Sequence, residues 1–196
     1  MEHENRINEL IAAFDFIDDK YKREEVEEAV ALQQEITPHL IRILEDLVAD
    51  PEKYAVNEHY AYIYAVVLLA HFQEAAAHLP IIKAFLVPDD YIDGLWGDIV
   101  TAILPALLVR TCNGSLDEIK KLVLNKDADE YVRDAAVEAL VNAVALGMVE
   151  RREVVDFLAG LLSGDDADHG GYSCDNVAAC LADIHPEGAM DVIRAA

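Results

Sequence analysis

The chain has 196 residues, 54% of them apolar, and 38 Asp and Glu against 15 Lys and Arg give it a formal charge of −23. That balance argues against nucleic acid, where Lys and Arg contacts to phosphate supply most of the affinity, and against an anionic membrane surface; it favours a basic partner. The apolar content is too high for a disordered acidic tail. Cys112, Cys174 and Cys180 are an odd, sparse set. They make a poor disulfide framework and suit a reducing cytoplasm.

Residues 1–20 read as an acidic leader helix, with Ile7, Leu10, Ile11 and Phe14 on one face, and not as a signal peptide. Lys22 to Gln34 reads as a second helix. Thr37-Pro38 looks like a restart, Thr as N-cap and Pro at the first helical position, opening a helix through Leu40, Ile41, Leu44 and Leu47 to Asp50-Pro51. His59 to Phe72 is apolar on nearly every side, the pattern of a helix buried between layers. Its run Ala61–Ala70 is far short of the ~20 residues that span a bilayer. Leu79-Pro80 opens the next helix, which Pro88-Asp89-Asp90 ends. Trp96 to Val109 reads as one helix kinked at Pro105. Asn113-Gly114-Ser115 is a turn, and Leu116–Leu124, Glu130–Leu146, Glu153–Leu162, Asp175–Ile184 and Glu187–Ala195 complete the helices.

Two features recur with a common period. The second helices align at Arg42, Lys83, Lys120, Asp156 and Asp191, in steps of about 41, 37, 36 and 35 residues. Acidic clusters return about every 38 residues, at Asp50/Glu52, Asp89/Asp90/Asp93, Asp127/Asp129/Glu130 and Asp165/Asp166/Asp168. No strand alternation and no low-complexity linker interrupt the series. The expectation is one all-α domain over residues 1–196, a right-handed α-α superhelix of about five helix pairs, with residues 22–195 forming the repeats.

The stretch Lys126–Leu140 resembles a HEAT repeat: Asp127 and Asp129 in the turn, Val132-Arg133, then Ala135-Ala136 and Ala139-Leu140. In that reading Arg133 bridges turn carboxylates, with Asp127 or Asp129 the expected partner, and Pro105 is a structural kink. From about Ile36 to Leu162 the chain also resembles a bacterial HEAT-like family catalogued as domain-of-unknown-function family 1186. The resemblance rests on His59-Tyr60-Ala61-Tyr62-Ile63-Tyr64-Ala65-Val66-Val67-Leu68-Leu69-Ala70, Gly97-Asp98 with Thr101 and Leu104-Pro105, and Asp129-Glu130-Tyr131-Val132-Arg133. It implies a helical-repeat fold and no particular reaction. Members of that family often continue into a zinc-binding tail similar to the SecA C-terminus, which the sequence to Ala196 does not contain. The last helix meets no polar capping element, so a continuation or a covering molecule is expected there.

Candidate chemistry is sparse. His71, Glu74 and His78 have helical spacing and zinc-type side chains, but they fall where one helix should turn into the next. His169, Cys174, Cys180 and His185 have suitable side chains without the tight spacing of a zinc knuckle. Neither set leads to a metal or cofactor assignment, and no catalytic residue is assigned. The expected function is a non-enzymatic, cytoplasmic scaffold that binds a basic segment of a protein partner, with no nucleic acid and no membrane. Its contact residues would be Asp89, Asp90, Tyr91, Trp96, Asp129, Tyr131, Asp166 and Asp168. The alternatives are a metal-binding or catalytic helical protein using one of the His/Glu or Cys/His sets, and a structural oligomerisation module; the sequence leaves the oligomeric state open.

Overall fold

The computed structural model describes residues 2–16, 20–56, 59–163, 174–185 and 189–191. Among them the chain forms thirteen α-helices and one short 3-10 turn, with no strand. They divide into two compact units, Met1–Gly97 and Asp98–Ala196.

In the first unit, α1 (Glu2–Asp15) buries Ile7, Leu10 and Phe14, the face that the spacing predicts. Phe14 stacks on Tyr64 with ring centres 4.5 Å apart, which ties α1 to α5 (Ala61–His71). After α2 (Arg23–Ala31) comes α3, which runs unbroken from Gln33 to Ala49. The expected restart at Thr37-Pro38 is therefore corrected. Thr37 does not cap; its hydroxyl donates back to the carbonyl of Gln33 at 2.7 Å. Ile36, Leu40, Leu44 and Leu47 form a fully buried stripe across the proline. Burying each contributes ~1.5–3 kcal/mol, which together exceeds the ~3 kcal/mol cost of an internal proline.

Two short helices, α4 (Pro51–Val56) and α7 (Asp89–Leu95), were not apparent from periodicity, and they pack on each other. α5 packs on α1 and α3, and α6 (His78–Ala84) also packs on α3. α5 ends in a left-handed residue, Gln73 at φ 54°. The Gln73 N–H reaches the Ala70 carbonyl and the Glu74 N–H reaches that of Leu69, closing the helix by a Schellman arrangement.

In the second unit, the expected kink at Pro105 is a break. α8 (Ile99–Ala102) ends, Ile103 leaves helical geometry at φ −125°, and α9 (Leu104–Thr111) begins. Pro105 then occupies the second position of α9, where its missing N–H has no intrahelical partner to lose. The turn at Asn113 and Gly114, both at positive φ, leads into α10 (Asp117–Leu124) as expected. α11 (Glu130–Ala145) is the hub of this unit and contacts α8, α9, α10, α12 (Arg151–Ser163) and α13 (Cys174–Asp183). Ala135, Ala136, Ala139 and Ala143 are all buried on α11, and their small size lets several helices approach one axis. Gly147 at φ 69° closes α11 with a second Schellman pair, Gly147 N–H to Val144 O and Met148 N–H to Ala143 O.

Candidate functional site

The acidic turns carry more carboxylates than helix capping uses. At the start of α11 one side chain does the capping: Asp129 accepts from the N–H groups of Tyr131 (2.9 Å) and Val132 (3.3 Å). Asp127 and Glu130 beside it are exposed, and Tyr131 is 56% exposed. At α7, Asp89 and Asp90 lie exposed in the first turn behind Pro88, which offers no side-chain cap, and Tyr91 is half-buried. Asp166 and Asp168 lie outside the described residues.

Trp96 has other work than the sequence suggested, and Arg133 makes a bond that the sequence did not name. Trp96 is 2% exposed and cannot be a surface anchor. Its ring stacks on Phe85 at 4.0 Å, meets the edge of Tyr62 at 4.8 Å, and its Nε1–H donates to the Ala84 carbonyl at 2.8 Å. The reason is volume: Trp96 fills the middle of the first unit's core, and a backbone carbonyl satisfies its one polar atom. Arg133 is 4% exposed, and its Nε–H donates to the Val123 carbonyl of α10 at 3.3 Å. The bond runs to a helix C-terminal carbonyl, where a cation complements the dipole, while the Asp129 carboxylate is engaged with backbone N–H groups.

His71, Glu74 and His78 are not brought together as a metal site. His71 is exposed at the end of α5, His78 is 7% exposed at the start of α6, and Glu74 between them caps the 3-10 turn by accepting from the Ala76 N–H at 3.0 Å. The helix ends after His71, so the spacing that would align the three on one face is lost. Cys180 is 5% exposed, with Sγ 3.8 Å from Asn176 Oδ1. Burial pushes its thiol up to about 12, with Glu138, Asp183 and Asp134 adding to the effect. His185 is exposed, and its carbonyl accepts from Arg151 Nη1 at 2.8 Å. His169 and the Cys174 side chain lie outside what is described. Among the described residues no group of three or more His, Cys, Asp and Glu is placed to hold a metal ion.

A second arrangement was not anticipated from the sequence. In the first unit a cavity of about 150 Å³ is lined by Ile11, Asp15, Ile43, Lys53, Tyr54, His59 and Ala61. Asp15, the last residue of α1, caps α5 from a distance: Oδ1 accepts from the N–H groups of Tyr60 (2.9 Å) and Ala61 (3.1 Å). Its Oδ2 lies 2.6 Å from His59 Nδ1. A carboxylate only accepts, so Nδ1 carries the proton and the imidazole is turned by Asp15. Tyr54 is half-buried; burial, then Asp46, Asp15 and Asp50, push its hydroxyl up to about 12. Lys53 Nζ sits 5.6 Å from the Tyr54 ring centre. The only sequence signal was negative: Tyr60-Ala61 opens a buried helix without Ser, Thr, Asp or Asn at its N-cap, so an acceptor had to come from elsewhere.

Comparison with known proteins places the chain in a family. The model of a protein family described as "Protein of unknown function (DUF1186)" matches residues 5–196. An uncharacterized protein of Chlamydia muridarum (strain MoPn / Nigg) is 28% identical over 166 residues, covering 84% of this chain and 66% of the relative. An uncharacterized protein of Chlamydia trachomatis serovar D matches with the same identity and coverage. The chain thus spans just under two thirds of the length of these curated relatives. No solved structure matches.

Proposed function

Because this chain belongs to the DUF1186 family of proteins of unknown function, no reaction comes with its membership, and we propose that it is a non-enzymatic helical scaffold that docks a basic segment of a partner protein. In this reading residues 1–196 form one α-solenoid domain of about five helix pairs, working in the cytoplasm. The observation that carries it is the surplus of carboxylates at helix starts: Asp129 alone caps α11, yet Asp127 and Glu130 stand exposed beside it, as Asp89 and Asp90 do at α7. Capping and dipole complementation explain one acid per turn; the remainder suits Lys or Arg side chains of a partner, with Tyr91 and Tyr131 beside them. Trp96 is withdrawn from the contact set because it is core. Among the described residues no helix is long and apolar enough to cross a membrane, which is compatible with a scaffold in solution.

The test is capture of partners from the native lysate, followed by binding measurements on Asp89→Asn/Asp90→Asn and Asp127→Asn/Glu130→Gln. Asp129 is left intact because it holds the helix. Exposed charges are screened over ~8–10 Å at physiological salt, so wild-type binding should weaken steeply with salt, mainly through the on-rate. The variants should bind more weakly and with a shallower salt dependence. Unchanged affinity and salt dependence would reduce the acidic turns to solubility and helix-end electrostatics.

A further inference from the structure

The cavity beside Asp15 and His59 has a chemistry of its own. Both oxygens of Asp15 are occupied, by two backbone N–H groups and by His59 Nδ1–H. With Nδ1 protonated, the Nδ1–H tautomer of the imidazole carries an accepting lone pair at Nε2. Ile11, Ile43 and Ala61 supply apolar wall, and Tyr54 supplies an aromatic ring. That ring already lies within reach of one ammonium, Lys53 Nζ, showing that it is placed for cation–π contact.

We propose that this cavity binds a primary alkylammonium group, carried either by a small free amine or by a lysyl side chain. The ammonium donates to His59 Nε2 and faces the Tyr54 ring, and the alkyl stem lies along Ile11, Ile43 and Ala61. An ammonium is donor-only and matches an acceptor lone pair, whereas a carboxylate has nothing to offer Nε2 unless the imidazole is first protonated. The surrounding charge points the same way. Burial first, then the carboxylates of Asp46, Asp15 and Asp50, raise the Tyr54 hydroxyl, so three acidic groups lie near enough to favour a cation beside that ring. The volume also fits: about 150 Å³ is the size of an engineered cavity that takes benzene, and the four-carbon stem of lysine is no bulkier.

The probe is n-butylammonium, titrated into the full chain and followed by NMR of the Ile11 and Ile43 methyl groups and the His59 ring. Butanol and butyrate serve as controls of matched size. Saturable shifts with butylammonium, on the order of millimolar in Kd for so few atoms, are expected, with much weaker effects from both controls. Ile43→Phe, which fills the cavity from α3 and leaves Asp15 and His59 unsubstituted, should abolish them. Lys53→Gln removes the competing cation and should tighten butylammonium by about two- to fivefold; it keeps the test decisive if Ile43→Phe fails to fold. Butyrate binding that is lost in Lys53→Gln would overturn the proposal in favour of an anion site. Equal shifts with butanol, or no saturable shift with any probe, would also overturn it. Nα-acetyl-lysine methylamide separates the two sources. Binding as tight as that of butylammonium assigns a lysyl side chain, and binding of butylammonium alone assigns a small amine. The acidic turns of α7 and α11 contribute nothing here, so this site and partner docking fail independently.

Discussion

The two units reach a closed core by different means. In the first, large rings do the filling: Trp96, Phe85 and Tyr62 meet face and edge, and their polar atoms end on backbone carbonyls, Tyr62 Oη on Leu95 O at 2.6 Å and Trp96 Nε1 on Ala84 O at 2.8 Å. In the second, α11 brings four buried alanines to the core together with buried Val132, Val137 and Leu140. Its alanines keep neighbours close, and the polar group buried with them is the guanidinium of Arg133. A core made of a few large side chains concentrates its stability in single residues. A core of many aliphatic side chains packed around a helix with small residues spreads it, and depends more on shape than on any one contact.

The sharpest way to break this comparison is Trp96→Ala. Removing a fully buried indole, its stacking and its hydrogen bond should cost ~3–5 kcal/mol, read as a loss of the first unit's unfolding transition by chemical denaturation. A cost under ~1 kcal/mol would mean that the aromatic cluster does not organise that unit. Arg133→Ala should cost about 1.5–3 kcal/mol, the range for hydrogen bonds to charged groups, and Arg133→Lys should recover little, because a point charge on a different stem does not reproduce the Nε geometry. Full recovery by Lys would favour a simple charge interaction over the Val123 bond. Asp129→Ala removes two accepted N–H bonds at the start of α11 and should cost ~1 kcal/mol, whereas Asp127→Ala, one turn residue away and exposed, should be near neutral.

The smallest effect is one of pH. Burial raises the Asp134 carboxyl, opposed by its hydrogen bond with Asn176 and raised further by Glu130. A carboxyl raised in the folded state binds its proton more tightly there than in the unfolded chain, so stability falls as pH rises through the folded value, and the penalty is fully present above it. Asp134→Asn should therefore gain on the wild type at neutral pH, and the gap should close as pH falls below the ordinary aspartate value of 3.8. Glu138 is raised for the same reason, burial first and then Asp134, so Glu138→Gln should add to the effect. Equal pH dependence in wild type and both variants would show that these carboxylates are fully solvated.

How much of this was legible from residues alone depended on distance along the chain. The α1 face, the buried α5 run, the Asn113-Gly114 turn and the acidic start of α11 follow from local rules: helical spacing, turn conformation and capping by a residue three or fewer positions away. The candidate cavity could not be found that way. Asp15 and His59 stand 44 positions apart, and what joins them is an α5 N-terminus that lacks a local acceptor.

By itself the sequence determined the helical class, the acidic surface and most helix boundaries, because the energies involved act within one or two turns. Tertiary structure alone decided that Thr37-Pro38 stays inside a helix, that Trp96 is core and not surface, that Arg133 reaches Val123, and that Asp15 turns His59. In each case a local preference of a few kcal/mol at most met a larger or better-placed demand from packing. An apolar stripe had to be buried across a proline, an indole had to be enclosed, a helix end had to be satisfied. Those demands exist only once distant segments have come together.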